Sequence, residues 1–236
     1  MLLHAGVADR RMWAPVSAAL RSDHRVIAPD LPGYGETPIP AGPFSYAAGV
    51  HDLLVQLDAV PAAVVGNSFG GLVALQLAVL HPAAVTKLAL ICAASDEHEP
   101  SDALGRFAAE EERLLDGGDI DGATELNVRT WSLGPGADLV RQMQRRAFEL
   151  QAAAEALDPP PEPQWPEPPA AARLGDVRAD TLVVTGDRDV EDFTAIGDSL
   201  AAGIAGARRI RVPDGGHLLP LEQPDTVVQL VRELLA

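Results

Sequence analysis

Short apolar runs rich in Val, Ile and Leu recur along this 236-residue chain, and segments with helical periodicity separate them. Nearly continuous apolar runs are typical of strands buried on both faces of a parallel sheet. Their alternation with helices predicts an α/β fold, in which helices cover both faces of a mostly parallel sheet. The predicted strands are 1–3, 25–28, 63–66, 87–92, 181–185 and 208–212, and the predicted helices are 13–21, 46–58, 72–81, 193–205 and 226–235.

Residues 95–175 break this alternation. They predict three helices, 101–115, 120–131 and 137–157, followed by the proline-rich sequence DPPPEPQWPEPP. Prolines forbid a helix and favour an extended tether. A chain of this length suits one core better than two independent folds. We therefore expect an α/β core made of residues 1–94 and 176–236, with residues 95–175 as a helical cap over one end of the sheet.

The charge of the chain limits its partners. The formal net charge is −16 and the pI is near 4.6, so the field of the protein repels phosphate backbones and anionic lipid surfaces. No apolar run approaches the length that spans a bilayer, and the start, MLLHAG, lacks the pattern of a secretory leader. We expect a cytoplasmic protein that acts on a small molecule, with neither nucleic acid nor membrane as partner.

The sequence implies no cofactor and no metal. Cys92 is its single cysteine, which excludes an intramolecular disulfide and any multi-cysteine zinc site. The His, Asp and Glu residues show no metal-ligand spacing, and neither a phosphate-binding loop nor a dinucleotide fingerprint occurs. Any chemistry must therefore come from the side chains themselves.

Residues 64–71 read VVGNSFGG and place Ser68 between a predicted strand and a predicted helix. A serine on so tight a turn needs a strained backbone, and side chains two residues away on either side would collide with the neighbouring element. Gly66 and Gly70 meet that need. The helix that follows directs the positive end of its dipole at Ser68 and favours negative charge there. This context predicts a nucleophile elbow.

A serine nucleophile needs a base, and the base needs an orienting acid. The strand predicted at 181–185 leads into GDRD, which contains Asp187 and Asp189, and the strand predicted at 208–212 leads into PDGGH, which ends at His217. The carboxyl ends of parallel strands share one edge of the sheet, where the sites of open α/β folds lie. The order Ser, Asp, His is also the one expected for this topology.

The chain resembles the α/β-hydrolase superfamily over nearly its whole length. The resemblance rests on five motifs in order: His-Ala-Gly at 4–6 through Trp13, DLPGYG at 30–35, the elbow GNSFGG, the strand followed by GDRD, and GGHLLPLEQP. It implies Ser68 as nucleophile, His217 as base and Asp189 as the acid, because family members place that acid three residues after a glycine, here Gly186. Asp187 then caps the turn.

The resemblance also implies an oxyanion hole built from the backbone N–H groups of Gly6 and Phe69, with His4 bracing the loop that carries Gly6. Family members usually begin with a β-hairpin of about twenty residues ahead of the strand that here starts at Met1. That hairpin is absent from this sequence. An uncovered edge strand invites pairing with another chain, so we expect a homodimer through the exposed sheet edge or an aggregation-prone monomer.

Several functions fit this motif set. Ester or lactone hydrolysis through an acyl-enzyme is favoured, because the motifs most resemble the small enol-lactonase and esterase branch. Asn67 beside Ser68 also occurs in family members that hydrolyse carbon–carbon bonds of ring-cleavage products, although GGHLL differs from their usual Cys-Gly-His-Trp. Family dehalogenases and epoxide hydrolases need an aspartate nucleophile, which Ser68 excludes. Cofactor-free perhydrolysis is a further alternative, and a non-catalytic binding protein on the same fold is a rival from another class.

The sequence also suggests roles for three features of the cap segment. The acidic run at 110–112 is interpreted as a solvated helix face. His98, where the cap begins, is either a surface residue or a substrate contact. The aromatic residues Trp131, Phe148 and Trp165 suit a core, a pocket wall or both.

Overall fold

A parallel five-stranded sheet forms the centre of the computed structural model, which describes residues 1–134 and 136–236. Every neighbouring pair in this sheet is parallel, as the alternating apolar runs predicted. The spatial order is β1, β3, β4, β6, β7. The bounds are β1 Leu2–Leu3, β3 Ala62–Asn67, β4 Val85–Ile91, β6 Asp180–Gly186 and β7 Arg208–Val212, and a separate strand, β2, spans Gly42–Phe44.

Helices cover both faces of the sheet because its side chains alternate in direction. On one face, Leu3, Val64 and Leu88 pack with the helices α2 (Tyr46–Gln56), α3 (Phe69–Leu80) and α7 (Glu191–Gly203). On the other, Leu2, Val65 and Ala89 pack with the helices α1 (Ala14–Leu20) and α9 (Pro224–Leu235). Neighbouring residues thus belong to opposite cores, as the two-residue period of a strand requires. A 3-10 helix, Arg10–Trp13, precedes α1, and a four-residue helix, α8 (Leu219–Glu222), precedes α9.

Residues 25–28 were predicted to form a strand, but they make no regular ladder with a neighbouring strand. This segment runs beside β1, and the backbone N–H of Leu2 donates to the carbonyl of Ile27 at 2.8 Å. This is the single backbone hydrogen bond between the two segments in the described part of the chain, whereas a strand ladder needs a repeated pattern of bonds. Apolar composition predicts a buried segment but not whether its backbone groups align with those of a neighbour.

The cap segment folds into three helices, α4 (Asp102–Asp116), α5 (Ile120–Trp131) and α6 (Ala137–Ala154), with α5 packed against both of the others. The proline-rich stretch that follows was predicted to be an extended tether, but part of it pairs with another strand. Its residues form strand β5 (Pro161–Pro163), which pairs in parallel with β2. A 3-10 helix, Ala170–Asp176, then returns the chain to the sheet at β6.

Two carboxylates, the half-buried Asp96 and the buried Asp192, hold the ends of the cap segment in place. Asp96 accepts hydrogen bonds from the backbone N–H groups of Ala170 and Ala171, both at 3.0 Å, and so joins the start of the segment to its end. Asp192, on α7, accepts from the Ser101 backbone N–H and hydroxyl, both at 2.7 Å. Ser101 caps α4, since its own hydroxyl accepts from the N–H of Leu104.

Within residues 1–134 and 136–236, no helix combines the length and the apolar character that crossing a bilayer would require.

Candidate active site

Ser68 stands at the turn between β3 and α3 with φ 53° and ψ −117°, a conformation that a residue with a side chain rarely adopts. A Cβ atom at Gly66 would overlap the backbone of Gly70, and one at Gly70 would overlap the carbonyl oxygen of Leu3. Both glycines are therefore required by close backbone approach. The turn is a strand-to-helix elbow of the kind that the motif indicates.

His217 and Asp189 lie in direct contact beyond the ends of β7 and β6. The imidazole Nδ1 is 3.0 Å and 2.9 Å from the two oxygens of Asp189, and the exposed fractions of the two side chains are 4% and 0%. A carboxylate can only accept, so Nδ1 carries the proton and Nε2 keeps the lone pair of a base. Asp187 instead pairs with Arg211 at the surface, at 2.9 Å.

Ser68 and His217 line the same cavity, whose volume is about 260 Å³. No hydrogen bond joins the two side chains in the part of the chain that the structure describes. Catalytic hydrogen bonds are often long in ligand-free proteins and tighten when substrate binds. Trp131 and Phe193 flank the imidazole, with ring centroids 4.7 Å and 4.3 Å from it, so aromatic contacts limit where the ring can move.

Backbone N–H groups suited to an oxyanion are available beside Ser68. Gly6 lines the same cavity, and a Cβ built at Gly6 would lie 3.5 Å from the Cβ of Phe69. Across residues 1–134 and 136–236, neither the Gly6 N–H nor the Phe69 N–H donates to another protein group outside the regular helix and strand bonds. The two residues that the resemblance indicated are therefore adjacent, and their N–H groups are available to an oxyanion.

His4 braces the loop that carries Gly6. Its Nε2 accepts from the backbone N–H of Leu31 at 2.9 Å, while its Nδ1 lies 2.8 Å from the carbonyl oxygen of Ala5. This pattern requires one protonated and one unprotonated nitrogen, which is the neutral imidazole. Burial lowers the pKa of His4, so the ring stays neutral and joins two loops through hydrogen bonds.

Asn67 links the elbow to the loop that holds the base. Its side-chain amide donates to the carbonyl of Ile91 at 2.9 Å and to the carbonyl of His217 at 3.1 Å. The residue is fully buried. Because one amide bonds the backbone of both β4 and the His217 loop, it fixes the position of His217 relative to the end of β3.

Cys92 lies behind Asp189 and completes the one cluster of metal-ligand atoms found in the described residues. The ligand atoms of Cys92, Asp189 and His217 lie within 4.8 Å of one another. Burial, with a smaller contribution from the Asp189 carboxylate, raises the pKa of the Cys92 thiol. A thiol that keeps its proton is a poor metal ligand, and His217 and Asp189 already bond each other. The cluster is better described as a hydrogen-bonded network than as a metal site.

The far end of the cavity is built by the cap helices. Phe107, Trp131 and Phe148 contribute apolar walls. Polar side chains from the cap helices also line it: Glu111 from α4, Asn127 from α5, and Gln144 and Gln151 from α6. The interpretation of Glu111 as part of a solvated helix face is therefore wrong, since it lines the cavity and accepts from the Asn127 amide. Glu110 and Glu112 are exposed, and Glu110 pairs with Arg113 on that side of α4.

Sequence reasoning missed Asn127, Gln144 and Glu111 as lining residues. The available signal was the helical spacing of Asn127 and Trp131, four residues apart and hence on one face of α5. His98 lies outside the cavity and bonds the buried Asp192 at 2.8 Å. Trp165 is 48% exposed and stacks on Tyr46.

This fold and this elbow are those of a known family. The sequence model of the Alpha/beta hydrolase family matches residues 1–230. The chain therefore belongs to the alpha/beta hydrolase family and is a hydrolase of that fold, as its motifs predicted.

Characterised relatives within the family differ in their reactions. The chain is 30% identical to a pimeloyl-[acyl-carrier protein] methyl ester esterase of Aromatoleum aromaticum, over 100% of this chain and 97% of the relative. It is 32% identical to a 2-hydroxymuconate semialdehyde hydrolase of Pseudomonas sp. strain CF600, over 100% of this chain and 86% of that one. Among solved structures, an enol-lactonase from Burkholderia xenovorans LB400 superposes with a TM-score of 0.78 at 22% identity, covering 99% and 89% of the two chains. The last similarity shows the fold.

Proposed function

We propose that this protein is a serine hydrolase that cleaves a carboxylic ester or lactone through an acyl-enzyme, with Ser68, His217 and Asp189 as its triad. The observation that carries the proposal is the buried contact of His217 with Asp189 beside the strained Ser68, in one cavity. A turn serine without a catalytic role has no need of a positive φ or of an imidazole held by a buried carboxylate.

Each group has one task in the proposed reaction. Ser68 Oγ attacks the carbonyl carbon of the substrate while His217 Nε2 takes the hydroxyl proton. The bond to the leaving alcohol breaks, and His217 gives its proton to that alcohol oxygen. A water molecule then attacks the acyl-enzyme, His217 accepts the proton of the water and returns one to Ser68 Oγ, and the acid leaves. Asp189 holds the imidazole and stabilises its charged form.

The tetrahedral intermediate carries a negative oxygen, for which Gly6 and Phe69 offer their backbone N–H groups. Such donors act most strongly when they are fixed before the reaction and shielded from water. The first turn of α3 adds the positive end of its dipole at the same place. Loss of one donor typically lowers kcat by about 10²- to 10³-fold.

Hydrolysis of short 4-nitrophenyl esters and of simple lactones tests this proposal. We expect turnover by the unmodified protein and a fall in kcat of at least about 10⁴-fold in Ser68→Ala. Ser22→Ala, which removes an exposed loop serine, should retain full activity. If Ser68→Ala hydrolysed these substrates as fast as the unmodified protein, Ser68 would not be the nucleophile.

Carbon–carbon bond hydrolysis of a ring-cleavage product is the second candidate. Two observations favour it: Asn67 precedes Ser68, and the Pseudomonas relative that aligns with the whole chain is named as a 2-hydroxymuconate semialdehyde hydrolase. A dienone ring-fission product absorbs visible light, so its loss can be followed directly. Cleavage of the dienone with a kcat/KM above that of every ester tested would make this candidate the principal activity.

A further inference from the structure

We propose that the polar wall of the cavity, formed by Glu111, Asn127 and Gln144, selects the substrate. It accepts an ester whose non-reacting end carries hydrogen-bond donors, such as an amide, hydroxyl or ammonium group, and it rejects an ester that ends in a carboxylate. This inference rests on the proposed function, because it concerns the same cavity, and it names the class of substrate.

The polar wall lies beyond the aromatic residues that contact the base. Trp131, at the end of α5, has its ring centroid 4.7 Å from that of His217. Asn127 is four residues earlier on the same face of α5, which is about 6 Å further along the helix axis. Glu111 is bonded to the Asn127 amide. The wall therefore contacts the part of a substrate that is removed from the reacting carbonyl.

The Glu111 carboxylate presents acceptors to the cavity, and Asn127 is left with its oxygen. Gln144 is 4% exposed, and its buried Oε1 has no hydrogen-bond partner among residues 1–134 and 136–236. The Asn127 amide nitrogen is already used, by Glu111 and by the carbonyl of Ala123 at 3.0 Å. The Gln144 oxygen is enclosed by protein, so a ligand in the cavity donates instead to the Glu111 carboxylate, which lines it.

The charge of the cavity also favours donors over carboxylates. Within the described part of the chain, Glu111 is an acid in the lining, and no Lys or Arg lines the cavity with it. Nearby arginines on α6 are engaged elsewhere: Arg141 pairs with Glu125, and Arg145 with Asp121. Burial raises the pKa of Glu111, which reflects the cost of one negative charge there. A substrate carboxylate in the same place would be desolvated as well, and the Glu111 carboxylate would repel it.

Three 4-nitrophenyl esters with acyl chains of similar length separate these effects: the heptanoate, which ends in methyl, the adipamate, which ends in an amide, and the adipate, which ends in a carboxylate. We expect kcat/KM for the amide-ended ester to exceed that for the carboxylate-ended ester by at least about tenfold, or about 1.4 kcal/mol. Glu111→Gln should reduce this ratio by about tenfold, chiefly through KM for the carboxylate-ended ester.

Glu110→Gln is the matched control. It removes the same charge from the same helix, but Glu110 is exposed and pairs with Arg113. The ratio should stay within about twofold of the unmodified value, since surface charges are screened. An unchanged ratio in Glu111→Gln, or a preference of the unmodified protein for the carboxylate-ended ester, would overturn the inference.

Binding to Ser68→Ala separates this inference from the proposed function. Calorimetry compares two stable analogues, the mono-anilides of adipamic acid and of adipic acid. If no ester is turned over but the amide-ended analogue binds at least about tenfold more tightly, the ester hydrolase proposal fails and the selectivity stands. Equal affinities, preference for the carboxylate, or no binding of either analogue would refute the selectivity.

Discussion

Asp189 and Asp187 are two aspartates in one loop with different surroundings. The Asp189 side chain is fully buried against His217, whereas Asp187 faces Arg211 at the surface. We expect Asp189→Asn to lower kcat by about 10⁴-fold, because an amide in place of the carboxylate favours the wrong imidazole tautomer. Asp187→Asn should change kcat by less than about threefold, since an exposed ion pair contributes little. Steady-state kinetics on one ester measures both values of kcat. A larger loss of kcat in Asp187→Asn than in Asp189→Asn would show that Asp189 is not the acid of the triad.

Single residues were predictable where chemistry demands a particular type at a particular spacing. The elbow glycines and the placing of Ser68 on a strand-to-helix turn belong to this class, because so tight a turn admits few alternatives. Glu111 and Gln144 do not. Their helices have other faces open to solvent, and only the packing of α5 against both α4 and α6 decides which face meets the cavity. No local pattern carries that information.

At the level of elements, the contact of α3 with β1 depends on Gly70. A Cβ there would overlap the carbonyl oxygen of Leu3, whereas nothing lies within 4 Å of a Cβ at Gly105 in α4. We expect Gly70→Ala to reduce the free energy of unfolding by more than about 1 kcal/mol, since backbone must shift. Gly105→Ala should raise it by about 0.5–1 kcal/mol. Urea unfolding measures both, and equal effects of the two substitutions would contradict the close approach.

The hydrogen bonds between α7 and the start of the cap segment make the free energy of unfolding depend on pH. Burial by itself raises the pKa of Asp192, but the hydrogen bonds from Ser101 and His98 outweigh it and lower the pKa from 3.8 to about 2. Because the folded pKa is depressed, the stabilisation is present above pH 4 and is lost as pH falls towards 2. The shift corresponds to about 2 kcal/mol.

Urea unfolding of the unmodified protein and of Asp192→Asn, at several pH values, tests this contribution. The difference in unfolding free energy between the two proteins should shrink by about 2 kcal/mol between pH 5 and pH 2. A difference that stays constant over this range would show that Asp192 is not the group that titrates.

The strands of the sheet were predictable because a buried parallel strand needs a nearly continuous apolar run. The segment at 25–28 shows the limit of that rule, since composition does not report whether the backbone of a buried segment aligns with its neighbour. The pairing of β2 with β5 was also beyond prediction. It joins residues that are more than a hundred positions apart, and prolines in a sequence indicate an extended chain without naming its partner.

At the scale of the whole molecule, the sheet edge formed by β1 and the segment at 25–28 beside it bears on assembly. A groove of about 310 Å³ lies at this edge, lined by Leu2, Ile27 and Val231 among others. The homodimer through the sheet edge stays a prediction. Light scattering on a size-exclusion column should give about twice the chain mass of 24.8 kDa, or show aggregation. A monodisperse monomer would contradict this expectation.

The arrangement of the whole site around Ser68 is the central claim, and covalent labelling tests it most directly. A fluorophosphonate reacts with a serine only when a base activates its hydroxyl. Intact-mass spectrometry should show one probe per chain for the unmodified protein and for Ser22→Ala, and none for Ser68→Ala. His217→Ala should label far more slowly. Equal labelling of Ser68→Ala, or no labelling of the folded unmodified protein, would contradict an activated nucleophile at the elbow.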